Sequence, residues 1–173
     1  MTRQLPQATP EQRHRTMFII WFALIMGVVT FGVVVVGILG KDEAPGDGLP
    51  LLTYVGLGAT AVMLVLRTFV PDLVGRNMSN QAMERIKTEN IQDEDEVLAT
   101  YDQIFMSRLI VGLGLLEGAA MLNLVAYMTE SQVLSLVAVG ILLLVMIASV
   151  PTKSKLEAWI RNQMENYNLE NQN

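Results

Sequence analysis

Four long apolar runs dominate the chain, at about 17–39, 51–70, 104–128 and 133–150, with charged and polar stretches before, between and after them. A helix needs roughly 20 apolar residues to cross the hydrocarbon of a bilayer. The runs are apolar all round, whereas a helix on a soluble core shows one apolar stripe. The pattern predicts an all-α polytopic membrane protein with four transmembrane helices in two hairpins. The first run is too long and unbroken for a cleaved signal peptide and reads as a permanent span.

The intervening segments carry helix signals of their own. Thr9, Pro10 and Gln12 form a capping box with proline at the first helical position, so the first helix should begin before the membrane, in segment 1–16. Pro71 should end or kink the second helix. Beyond it Leu73, Val74, Met78, Ala82, Met83 and Ile86 lie among Arg76, Arg85 and Lys87, which suits a helix lying on the inner leaflet. The run Asp93, Glu94, Asp95, Glu96 then leads without a breaker into the third span. Carboxylates favour a helix N-terminus, so one helix is expected from about 93 to 128. In the tail, 151–173, Ser154 and Glu157 form a second capping box. Leu156, Trp159, Ile160, Met164 and Tyr167 make a stripe for the membrane surface or for the central loop 71–103.

Charge placement orients the spans. Of the 12 lysines and arginines, only Lys41 falls in the loop between the first two spans, and the others lie before the first span, around the central loop or after the fourth. Such a bias puts both termini and the central loop in the cytoplasm. The two outer loops are short, with Tyr54 and Tyr127 where an outer aromatic belt would sit. The expected location is a bacterial inner membrane, with cytoplasmic helical extensions.

Composition then excludes classes. The chain is 51% hydrophobic and 17% charged, and it has no cysteine, which removes disulfide, thiolate-metal and thiol redox chemistry, including the quinone-linked four-helix proteins. The single histidine, His14, precedes the first span, so no pair of axial haem ligands exists in the membrane. A net charge of −5 argues against nucleic acid as a partner. Asp93, Glu94, Asp95 and Glu96 are weak candidates for a divalent cation, which usually takes ligands from a shaped loop. Eleven methionines, scattered over the spans without shared spacing, read as packing. No cofactor is expected, and no nucleophile–base pair or metal-ligand cluster suggests an enzyme.

One residue carries candidate chemistry. Glu117 lies in "RLIVGLGLLEGAAMLNLVAY", residues 108–127, where a charge is expensive and usually turned inward. Hydrocarbon favours its neutral, protonated form. Arg108 is nine residues away, about 13 Å along a helix, too far for a local pair and suited to snorkel to the headgroups. Gly114 and Gly118 flank the acid as a GxxxG pair that admits a close helix. Gly56 and Thr60 in "GLGATA" offer a matching small face on the second span, and Thr60 or a backbone carbonyl is the expected partner of the acid. Asn123, on a different face, reads as polar glue. Glu117 is thus either a proton carrier or a neutral packing residue.

Residues 51–128, with "GLGATA" followed by "RLIVGLGLLEGAAMLNLVAYM", resemble the helical hairpin of ATP synthase c-subunit proteolipids, where the second helix carries a mid-membrane acid. That resemblance implies a reversible proton carrier at Glu117. The chain departs from that family in its long central loop, its two additional spans and the absence of a long alternating-glycine repeat. It also looks like uncharacterised four-span bacterial membrane proteins with a similar "LLEGAA…NLVAY" stretch. An internal repeat is a further reading, since "ALIMGVVTFG" at 23–32 aligns with "RLIVGLGLLEG" at 108–118.

The expected function is a non-enzymatic integral membrane protein, a scaffold or accessory subunit that meets a second copy or another membrane protein through small-residue helix faces. The alternatives are a proton-linked proteolipid-like subunit and a small proton-coupled transporter. Exporters of the latter kind are shorter and carry their glutamate in the first span.

Overall fold

The computed structural model describes residues 10–39, 50–89, 94–152, 154–156, 158–159 and 161–162. Four α-helices carry almost all of them: α1 (Pro10–Val34), α2 (Leu51–Thr88), α3 (Glu94–Glu130) and α4 (Val133–Ala148). A π-helical turn, Val35–Leu39, continues α1. No strand occurs among the described residues. Thr9, Asp93 and Lys41, and the tail positions Ile160, Met164 and Tyr167, fall outside the residues or side chains described.

α1, α2 and α3 are each long and apolar enough to cross a membrane, while α4, at 16 residues, is a shorter apolar helix. Large apolar side chains point outward all around the bundle. Ile19, Val33, Val55, Phe69, Val133 and Leu144 are all more than half exposed. In water such a surface would aggregate, and in lipid it is the ordinary exterior.

Cross-contacts fix the helix directions. Gly27 and Gly32 of α1 meet Glu117 and Leu124 of α3, so these two run parallel. Trp21 Nε1 donates to the Met146 carbonyl of α4 at 2.9 Å, and His14 Nε2 lies 3.1 Å from the Pro151 carbonyl, which makes α1 and α4 antiparallel. Along α2 and α3, Leu52 meets Glu130, Gly56 meets Asn123, Pro71 meets Gly112 and Gly75 meets Arg108, an antiparallel pairing down their whole length. The result is an up-down-up-down bundle.

α3 is the central helix. In its most apolar window 44% of residues are inside the bundle, against 17% for α1 and 6% for α2. Leu113, Leu116, Ala120 and Leu124 form the core with Val28 of α1, Val35 of the π-helical turn, and Leu142 and Met146 of α4.

The central segment differs from the sequence expectation. Pro71 does not end α2, which runs on to Thr88, and the stretch read as a separate helix on the leaflet is its continuation. Proline usually breaks a helix because its ring crowds the preceding turn and it donates no hydrogen bond. Here its Cγ lies 3.4 Å from where a Cβ on Gly112 would stand, and the neighbouring helix holds the turn from outside. Beyond Pro71 the α2–α3 hairpin builds a second small core. Ala82, Tyr101 and Ile104 are buried there, with Met78, Val97 and Trp159 packed against them. Trp159 from the tail therefore sits on the hairpin, edge-on to Tyr101 at 6.2 Å between ring centroids. The helix from the acidic run into the third span is continuous, as its lack of a breaker predicts.

Candidate functional site

Glu117 is partly buried on α3, on the side turned toward α1. Its Oε1 lies 3.3 Å from where a Cβ on Gly27 would stand, so the missing side chain of Gly27 gives the carboxyl its room. Its carboxyl makes no hydrogen bond to any described residue. The expected partner, Thr60, is engaged elsewhere. Positions 117 and 123 are six residues apart on α3, about 240° around the axis, so they cannot face the same neighbour. Asn123 takes the α2 side, and Glu117 is left with α1.

The Asn123 amide nitrogen is satisfied at the α2–α3 contact, while its buried Oδ1 has no hydrogen-bond partner among the described residues. The side chain is completely buried, and the two N–H groups of its Nδ2 share three acceptors, Thr60 Oγ1 at 2.8 Å, the Gly56 carbonyl at 3.1 Å and the Ala119 carbonyl of its own helix at 2.8 Å. Thr60 Oγ1 donates in turn to the Gly56 carbonyl at 2.9 Å. Asn123 Oδ1 sits 2.8 Å from the place of a Cβ on Gly56, closer than a real side chain could come. Gly56, Thr60 and Asn123 thus come together as one polar lock between α2 and α3.

Gly114 and Gly118 do not join them. A Cβ on either would meet nothing within 4 Å, and both face outward. The glycines that let helices approach are Gly27, Gly56, Gly75 and Gly112. All four lie opposite a bulky or polar side chain of another helix, which the spacing of glycines within one helix does not reveal. The GxxxG pair beside Glu117 remains as an open stripe.

Two further polar sites escape a reading of single segments. At the end where α3 turns into α4, Glu130 accepts from the Leu52 and Thr53 amides, both at 2.7 Å, and so caps α2 from another helix. Pro50, the local cap residue, supplies no side-chain bond, and that missing local cap is the only signal in the sequence. Beside it Ser135 Oγ donates to Thr53 Oγ1 at 3.2 Å, tying α4 to α2. At the opposite end Arg108 pairs with Asp72 and lies 5.3 Å over the Trp159 ring, cradled on Gly75. It reaches that end of the bundle as a snorkelling residue would, with a counter-ion that the sequence reading did not select.

Of the acidic run, Glu96 is described on the first turns of α3, and the other three side chains lie outside the described set. Among the described residues no group of three or more histidines or carboxylates gathers. Comparison with family models, with curated proteins and with solved structures finds no match to this chain.

Proposed function

We propose that this protein is a four-span bacterial inner-membrane protein that acts without catalysis, as a scaffold or accessory subunit. It associates with a second copy or another membrane protein through the open small-residue stripe of α3. The observation that carries this reading is the contrast among the glycines. Gly27, Gly32, Gly56, Gly75 and Gly112 face side chains of other helices, while Gly114 and Gly118, one turn apart on α3, face nothing within 4 Å, as do Gly37, Gly58 and Gly140. In lipid, where apolar burial drives no association, close backbone approach along such a stripe is the principal source of helix affinity. The fourth span is α4, about 24 Å long at 1.5 Å per residue and extended by Ser149 and Val150. The basic residues favour the end bearing Arg67, Arg108 and Lys155 as cytoplasmic, with both termini.

The absence of native cysteine makes the test clean. Gly118→Cys, oxidised in native membranes, is expected to cross-link to a second copy or to another membrane protein, while Leu144→Cys on the outer face of α4 does not. Gly118→Leu should abolish the association. Failure of Gly118→Cys to cross-link to anything, with the assembled mass unchanged by Gly118→Leu, overturns the reading.

A proton-linked role for Glu117 is supported by a separate observation, the absence of any hydrogen bond from its carboxyl to the described residues. A packing residue in hydrocarbon would ordinarily be bonded, as Asn123 is. Carbodiimide should label Glu117 in native membranes, with labelling that falls as the acid deprotonates over about pH 5 to 9, and Glu117→Gln should abolish it. An acid unreactive across that range, in a protein whose Gln variant is equally stable, is a packing residue.

A further inference from the structure

Where α4 ends, a pocket of about 340 Å³ opens between α2, α3 and the chain that follows α4. Arg67, Arg108 and Lys155 line it, with Asp72 as the one carboxylate and the rings of Phe105 and Trp159 among its walls. Among the described lining residues three cations stand against one anion, two positive charges in excess. Asp72 accounts for Arg108. Arg67 donates to Ser149 Oγ and, at 3.5 Å, to the Val145 carbonyl, and Lys155 donates to the Ala148 and Val150 carbonyls at 3.4 and 3.3 Å. These neutral acceptors satisfy hydrogen-bond geometry and cap α4, but they cancel no charge.

The depth of the pocket matters as much as its charge. Arg67 is sixteen residues from Leu51, about 24 Å along α2, and Arg108 is twenty-two from Glu130, about 33 Å along α3. A hydrocarbon core is about 30 Å thick, so the pocket falls at its boundary, where headgroups lie. Trp159 beneath Arg108 suits the same level, with an apolar ring and a polar edge. Most of the pocket wall is carbon, which a free anion would not use and the glycerol and upper acyl segments of a lipid would.

We infer that this pocket binds the phosphodiester headgroup of an anionic phospholipid, with Arg67, Arg108 and Lys155 around the phosphate and the apolar wall against the acyl chains. The inference rests on the placement of the bundle in a membrane and is independent of how the α3 stripe is used. Basic pockets between helices on the cytoplasmic side are suited to such lipids, each cation near the surface strengthening the attraction about fivefold.

The test is native mass spectrometry of the full chain in neutral detergent, titrated with phosphatidylglycerol, with phosphatidylcholine of the same acyl chains, and with millimolar inorganic phosphate. Phosphatidylglycerol is expected to bind at least about tenfold more tightly than phosphatidylcholine, two excess charges being involved. Lys155→Gln should weaken it about fivefold. Asp72→Asn, which removes the one carboxylate among the described lining residues, should strengthen it, a direction that misfolding cannot imitate. Displacement by inorganic phosphate alone would make this a soluble-anion site and overturn the lipid assignment. Equal affinity for the two lipids, or weaker binding in Asp72→Asn, would also overturn it. A lack of lipid preference leaves the membrane placement standing, which resistance of the protein to carbonate extraction tests separately.

Discussion

A leucine at Gly56 should cost about 3–4 kcal/mol of stability, combining overpacking with the loss of hydrogen bonds between helices, while a leucine at Gly58 should change little. The two glycines are two residues apart on the same apolar helix. At Gly56 even a Cβ would stand 2.8 Å from Asn123 Oδ1, and Asn123 is completely buried and held through its Nδ2 by acceptors on α2 and α3. It has nowhere to retreat, so either the α2–α3 pair separates or the lock opens. At Gly58 a Cβ meets nothing within 4 Å, and a leucine there simply faces lipid. Detergent-solubilised protein titrated with sodium dodecyl sulfate, followed by the fluorescence of its two tryptophans, measures both. Equal midpoints for the two variants would show that the lock contributes nothing to α2–α3 packing.

Removing the carboxylate of Glu130 in Glu130→Ala should also destabilise the bundle, because hydrogen bonds to a charged acceptor and an N-cap disappear together. The first N–H groups of a helix have no partner within it, and a negative charge there also meets the positive end of the helix dipole. Glu130 serves both needs from the last turn of α3. Glu130→Gln keeps an acceptor and loses the charge, so it should fall between wild type and alanine. Hydrogen exchange localises the effect: protection of the Leu52 and Thr53 amides should drop in Glu130→Ala, with the amides around Asn123 unaffected. Unchanged exchange at Leu52 and Thr53 would mean that the cap does not hold the start of α2.

The difference between Gly56 and Gly118 shows what could be read from the chain and what could not. Both lie in small-residue stretches of apolar helices, and both satisfy a small-xxx-small spacing. Only the first receives a neighbour. Asn123 could be selected in advance as glue because a polar side chain in hydrocarbon must find a partner, but Gly56 and Thr60, expected to meet Glu117, turned out to be its partners. Glu117 obeys the same rule less completely. Its depth and its raised cost were legible, yet its neighbour is Gly27, in a stretch with no polar signal. Asp72 pairs with Arg108 across thirty-six positions, and no local pattern joins them.

The sequence by itself determined that the chain is helical and built for lipid, and approximately where its helices begin and end apart from the far end of α2, which passes Pro71 to Thr88. Those properties follow from the length of apolar runs and from breakers and caps, which act over a few residues. It also determined the sites where buried polarity would demand an answer. Only the tertiary structure decided which face of each helix turns inward. That choice includes the passage of α2 through Pro71, the placing of Asn123 and Glu117 toward different helices, the capping of α2 by Glu130 and the gathering of three cations where α4 ends. The reason is physical. Lipid is as apolar as the side chains, so no hydrophobic gradient distinguishes the inner face of such a helix from the outer. Shape and a few hydrogen bonds make that choice, and both depend on pairs of residues far apart in the chain.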